Sequence, residues 1–311
     1  MFYEYAVDPD SLAGNWKDTR NLLEKFGFEQ GRLISRFPGK WTKIAYDCLR
    51  NQELRDVERK VLETTLEQIK NHGIIPSNRI YNSASNWLNN AVEQHNKSPF
   101  HAIIESTGQQ TSKHIIQVDD VSTSHPLIKV STERRVSRTG KELALAVGLL
   151  LSSMRKYLFV DPYFDISNRK YQETLKACMT IMQDNWHYDS ECQIHFDATK
   201  CSKLNHQISI AERHANKFIP EGMSIILYPW AERENGEDFH ARCLLTEKGG
   251  VRFDSGFSSE GSHQTVSLIL MKMESCFEEM RNFDISENRD VYKFSGPRIR
   301  VHSNGNVEQL D

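Results

Sequence analysis

Residues 239–258, FHARCLLTEKGGVRFDSGFS, read as two short strands joined through a Gly-Gly pair. His240 and Arg242 stand two apart on the first strand, so their side chains leave it on one face. Glu247 follows Arg242 after four intervening residues, and the second strand runs into Asp254-Ser255-Gly256-Phe257-Ser258. An imidazole beside a cation, with a carboxylate and hydroxyls close behind, suits phosphoryl chemistry. The imidazole can attack phosphorus, and the cation holds the charge that builds on the phosphoryl oxygens.

This run resembles the catalytic motif of the phospholipase D superfamily, H-x-K-x4-D followed by G-S-x-x-N. His240 matches the His, Arg242 stands at the Lys, and Glu247 at the Asp. The Gly-Ser pair reads Asp254-Ser255, with Ser258 where Asn is expected. Arg242 keeps the positive charge and adds a planar fork that can grip two phosphoryl oxygens, but it cannot give up a proton. The resemblance implies catalytic roles for His240, Arg242 and Glu247 and phosphate binding by Ser255 and Ser258.

Outward from the motif, helix and strand alternate from residue 129 on. Thr139-Gly-Lys-Glu142 has capping-box spacing and opens an apolar helix. YLFVDPYFD (157–165), CQIHFDA (192–198) and MSIILYP (223–229) read as buried strands, with helices over about 168–184 and 202–218 between them. Residues 262–283 read as one long closing helix. This order predicts an α/β fold, a mixed and mostly parallel sheet sandwiched by helices. That arrangement is similar to the phospholipase D fold and would span roughly residues 130–285. Asp161 and Tyr163 follow the first buried strand, at the edge where α/β sheets place ligands, and could line a site there. Arg134, Arg135 and Arg138 form a basic loop before the helix, and Arg138 is a candidate phosphate ligand.

The first half has another texture. Residues 51–72 place Leu54, Val57, Val61, Leu62, Leu66 and Ile69 at three- and four-residue steps, which predicts an amphipathic helix ending at His72-Gly73. Helices are also expected over 18–28 and 87–94, and strands over 100–106 and 113–121 around a turn at Thr107-Gly108. The expected organisation is an N-terminal α+β domain over 1–128 with no assigned role, a phospholipase D-like domain over 129–285, and a loosely ordered C-terminal tail over 286–311.

With 38% hydrophobic and 26% charged residues, the 311-residue composition is that of an ordinary globular chain. It has no apolar run of membrane-spanning length and no basic-then-apolar leader, and its six cysteines (48, 178, 192, 201, 243, 276) are scattered. A cytoplasmic, reduced protein without membrane contact is therefore expected. A net charge of −3 means that a polyanion would have to be met by a local patch. His187, Cys192, His195 and Cys201 form H-x4-C-x2-H-x5-C, but Cys192 and His195 lie three apart on one strand and so face opposite ways. No metal and no cofactor are expected.

The resemblance then implies a metal-independent phosphodiesterase that forms a phosphohistidine, with a nuclease acting on DNA or RNA as the leading reading. Members of the superfamily bring two such motifs together. One copy is present here, so a homodimer is implied, in a defence or restriction setting. The competing expectation is a catalytically degenerate module that binds nucleic acid or a protein partner.

Overall fold

The chain divides into two units, Met1–Thr132 and Glu133–Asp311, each with its own sheet. The structure is a computed structural model that describes every residue except 107, 109–111, 288 and 311. No helix among the described residues is long and apolar enough to cross a membrane.

The first unit contains β1 (Tyr3–Val7), α1 (Trp16–Leu23), β2 (Arg32–Ser35), α2 (Trp41–Arg50), α3 (Asp56–His72), β3 (Ile74–Ile75), α4 (Trp87–Lys97), β4 (Ala102–Glu105) and β5 (Ile115–Gln117). Its strands pair in the order β3-β2-β1-β4-β5, and every pairing is parallel. The expected α+β mixture thus takes a wholly parallel form. The two strands expected in 100–121 lie side by side in one direction, and Thr107 of the expected turn lies outside the described residues. Tyr5, Val7, Ile34 and Ile104 bury one face of this sheet with Leu62, Leu66 and Ile69 of α3; of the stripe read from the sequence, Leu54 precedes the helix and Val57 is exposed. Ala6 and Ile103 bury the other face with Phe37, Leu88 and Ala91. Each large apolar side chain removed from water contributes about 1.5–3 kcal/mol.

The second unit contains β6 (Glu133–Arg138), α5 (Gly140–Ala146), α6 (Gly148–Leu151), β7 (Lys156–Val160), α7 (Arg169–Met182), β8 (Glu191–Asp197), α8 (Leu204–His214), β9 (Ser224–Glu232), β10 (Cys243–Thr246), β11 (Gly249–Phe253), β12 (Gly261–Leu270), α9 (Met273–Asn282), β13 (Tyr292–Phe294), β14 (Arg298–His302) and β15 (Val307–Leu310). The sheet order is β15-β14-β9-β8-β7-β10-β11-β12-β6, with β13 also pairing to β9. It is a mixed sheet, as expected, but its parallel part is confined to β7, β8 and β9, whose connections are α7 and α8. All other pairings are antiparallel. Thr139 caps α5 by accepting from the Glu142 N–H at 3.3 Å. Gly140 lets α5 approach α7, since a Cβ there would lie 2.6 Å from the Glu173 carbonyl oxygen.

Two expectations fail here for the same reason, tertiary pairing. The single helix expected over 262–283 is β12 followed by α9. Val266, Leu268 and Leu270 are buried at a two-residue period, and Thr265, Val266 and Ile269 favour a strand once β6 and β11 flank it. The tail is ordered instead of loose: β14 pairs with β9 and buries Ile299 and Val301.

Candidate active site

Because β7, β8 and β9 run parallel, their carboxyl ends share one edge of the sheet, and it collects most of the residues singled out from the sequence. Asp161 follows β7 directly, Asp197 ends β8, and Glu232 ends β9. Strand β10 is antiparallel to β7, with Cys243 opposite Val160, so the chain before it arrives at the same edge. His240 and Arg242 therefore precede the strand instead of lying on it. Pairing stops at Cys243 because β7 ends at Val160 and Pro162, which has no N–H, turns the chain away. Strand β11 returns antiparallel and delivers Asp254–Ser258, and β6 ends there with Arg138, opposite Gly261.

Glu247 is the exception. It sits exposed in the tight turn between β10 and β11, at the opposite end of β10 from Arg242. Four residues of strand lie between them, so their Cα atoms are five steps or about 16 Å apart. The carboxylate expected beside the imidazole is not brought to it.

His240 is exposed, while Phe239 before it is fully buried. The Phe239 ring packs 5.2 Å from Phe283 and 5.0 Å from Tyr292, which fixes the alternation that turns the imidazole to solvent. Nδ1 of His240 lies 2.8 Å from the Asp238 carbonyl oxygen. A carbonyl only accepts, so Nδ1 carries the proton and donates it, leaving the Nε2 lone pair of the neutral ring available.

Arg242 donates to the Asp254 carbonyl at 3.4 Å, and its Nε lies 4.0 Å from Oδ1 of Asp161. Its guanidinium carbon is 5.7 Å from the ring centroid of Tyr163, which is half exposed at the edge. Asp161 is 1% exposed and ties the edge together: Oδ1 accepts from the Tyr163 N–H at 2.9 Å and Oδ2 from the Phe257 N–H at 3.0 Å. Burial pushes its carboxyl above the usual range, against those two N–H groups and the cations Arg242 and Arg138. Gly256 makes that tie possible. Its φ is +74°, and a Cβ there would lie 2.2 Å from Oδ2 of Asp161.

The segment expected as a basic loop is the edge strand β6, with Arg134 and Arg135 exposed. Arg138 turns inward and donates to the Ser255 carbonyl at 2.9 Å and to Oγ of Ser258. Its Nε is buried without a protein partner. Ser258 is buried and also bonds Tyr171 and Glu260, so its hydroxyl belongs to the scaffold. The side chain of Ser255 faces solvent.

Lys200, not singled out from the sequence, stands at the same edge just past β8. Its Nζ lies 2.5 Å from Oε1 of Glu232, 3.5 Å from Oδ2 of Asp197 and 5.9 Å from the Tyr163 ring centroid. Desolvation lowers its affinity for the proton, but the Glu232 and Asp197 carboxylates outweigh that and raise it overall. The one signal for Lys200 is its position three residues beyond a buried strand's last Asp, and that becomes readable only once the edge is known.

His195 lies elsewhere, fully buried. Its Nδ1 accepts from the Trp230 indole N–H at 3.0 Å, so its Nε2 donates to Oε1 of Gln193, also at 3.0 Å. The ring stacks on Tyr228 at 4.5 Å. Burial pushes the imidazole down to about 3. Among the described residues, no group of three or more His, Cys, Asp or Glu side chains could hold a metal ion.

No protein-family model matches the chain, and no curated protein matches it. Among solved structures it is similar to Nuc, a phospholipase D family member from Salmonella typhimurium, at 11% identity and a TM-score of 0.33, over 52% of this chain and 98% of that one. It is also similar to TrmBL2, an archaeal chromatin protein with a novel mode of DNA binding, at 12% identity and a TM-score of 0.29, over 54% of this chain and 55% of that one. At TM-scores this low, the likeness names no activity.

Proposed function

We propose that the second unit is a phosphodiesterase of the phospholipase D kind, working as a metal-independent nuclease through His240. One observation carries this reading: an exposed imidazole, anchored through Nδ1 with its Nε2 lone pair left available, stands two residues before Arg242 where the chain arrives at the carboxyl edge of the sheet. Nε2 attacks phosphorus, forming a P–N bond as the P–O bond to the leaving oxygen breaks. Arg242 stabilises the charge on the phosphoryl oxygens. The leaving oxygen needs a proton, which Arg242 cannot supply. A second imidazole, the partner subunit's His240 in a two-fold dimer, gives that proton and then takes one from the water that cleaves the phosphohistidine. Nucleic acid is the favoured substrate class, because exposed Arg134 and Arg135 continue along β6 from Arg138 at the edge.

The placement of Glu247 away from the edge, with Arg138 and Ser258 engaged in holding the Asp254–Ser258 loop, supports a second reading. In it the edge binds nucleic acid or a protein partner without cutting.

Hydrolysis of bis(4-nitrophenyl) phosphate, DNA and RNA in excess EDTA separates the two readings. Turnover should persist in the chelator, fall by about a thousandfold or more in His240→Ala, and stay within about tenfold in Arg242→Lys. A strict need for magnesium or manganese would overturn the proposal. Unchanged oligonucleotide affinity in His240→Ala, with no turnover in any form, would establish the binding module.

A further inference from the structure

Two consecutive peptide units flank Phe239, and both are held from outside the segment. Oε1 of Glu232 accepts from the Phe239 N–H at 2.9 Å and faces Nζ of Lys200 at 2.5 Å. The same Nζ donates to the Phe239 carbonyl at 3.1 Å. Lys200 is itself backed by Asp197, which is fully buried and whose Oδ1 accepts from the N–H and hydroxyl of Thr199 at 2.8 and 2.7 Å. The Phe239 N–H and the Asp238 carbonyl belong to one peptide plane. Glu232 grips that plane by its nitrogen end, and His240 hangs its Nδ1–H on the oxygen end. The next plane, between Phe239 and His240, is gripped by Lys200 through its oxygen.

We infer that the Lys200–Glu232 ion pair is a positioning device for His240, setting both the direction of its Nε2 and its Nδ1–H tautomer through the backbone of Phe239. Neither residue needs to touch the substrate. The inference rests on His240 being the nucleophile, but the tautomer can be measured without turnover. Both ion-pair partners are partly shielded, with side chains 27% and 35% exposed, so the grip is less screened than that of a free surface pair. Positioning of this kind acts on the chemical step, where a displacement of about 1 Å can lower the rate about a hundredfold.

The test uses the full chain with 15N-labelled histidine rings. Wild type and Lys200→Arg should show His240 as the Nδ1–H tautomer, whereas Lys200→Met should show a mixture of both tautomers at unchanged near-UV circular dichroism. On bis(4-nitrophenyl) phosphate, Lys200→Met should lower kcat about tenfold to a hundredfold with KM unchanged, and Lys200→Arg should recover most of it. Should Lys200→Met fail to fold with Asp197 left unpaired, Glu232→Leu is expected to show the same tautomer mixture and the same loss of kcat. An unchanged tautomer in a folded Lys200→Met or Glu232→Leu protein would overturn the inference. So would a shifted tautomer with kcat unchanged in an enzyme that does turn over. If wild type hydrolyses no phosphodiester, the nucleophile reading falls, while the tautomer spectra still decide whether the ion pair sets the ring.

Discussion

His240 and Arg242 were singled out by their two-residue spacing, which in a strand puts both side chains on one face, but both precede β10. Arg138 could be named as a candidate but not oriented, since its neighbours Ser255 and Ser258 lie well over a hundred residues away in the chain. A different residue carries the pH prediction. Asp8, buried after β1, is pushed up to about 6, chiefly by burial, although the Asp10 N–H and the Ser106 hydroxyl both bond it. Its folded-state value lies above the unfolded one. Its favourable contribution is therefore complete below about pH 4 and is lost as pH rises through about 6. Asp8→Asn keeps the shape and removes the charge. Thermal denaturation from pH 4 to 7 should show the variant gaining about 1–3 kcal/mol on wild type across that window. A constant difference between the two curves would refute it.

At the scale of elements, segments that carry their own period were read correctly and segments that borrow stability from neighbours were not. The stripe of α3 and the apolar runs of β7, β8 and β9 announce themselves locally. Strand β12 does not: SHQTVSLILMKMESCFEEMRNF also fits a helix, and only flanking β6 and β11 select the strand. The C-terminal strands make the point testable. Ile299 and Val301 are buried against β9, and each removal of such a side chain from a packed site costs about 2–5 kcal/mol. A chain ending at Ser295 should melt at least 10 °C lower or fail to fold, as judged by circular dichroism. An unchanged melting curve would mean that β14 contributes nothing to the second unit.

For the whole molecule, the proposed reaction draws one imidazole, His240, from each chain and has two proton-transfer steps to perform, so the proposal requires a dimer. Light scattering at micromolar concentration should give twice the 36.0 kDa of one chain. A value of 36.0 kDa in a sample that still cleaves phosphodiesters would remove the two-histidine mechanism.

The sequence by itself determined the alternation of β7, α7, β8, α8 and β9, and with it a shared carboxyl edge as the place of the candidate site. Strands buried on both faces must be apolar throughout, and the helices that cover them must be amphipathic, so both signals are local. It also singled out His240 and Arg242 as candidates, two residues apart. Only the tertiary structure decided what surrounds each of them. Strand register carried Glu247 to the far turn, brought Arg138 in from β6, and set Lys200 and Glu232 around the backbone of Phe239. Register depends on which distant strands share a buried face, and no short window of sequence encodes that choice.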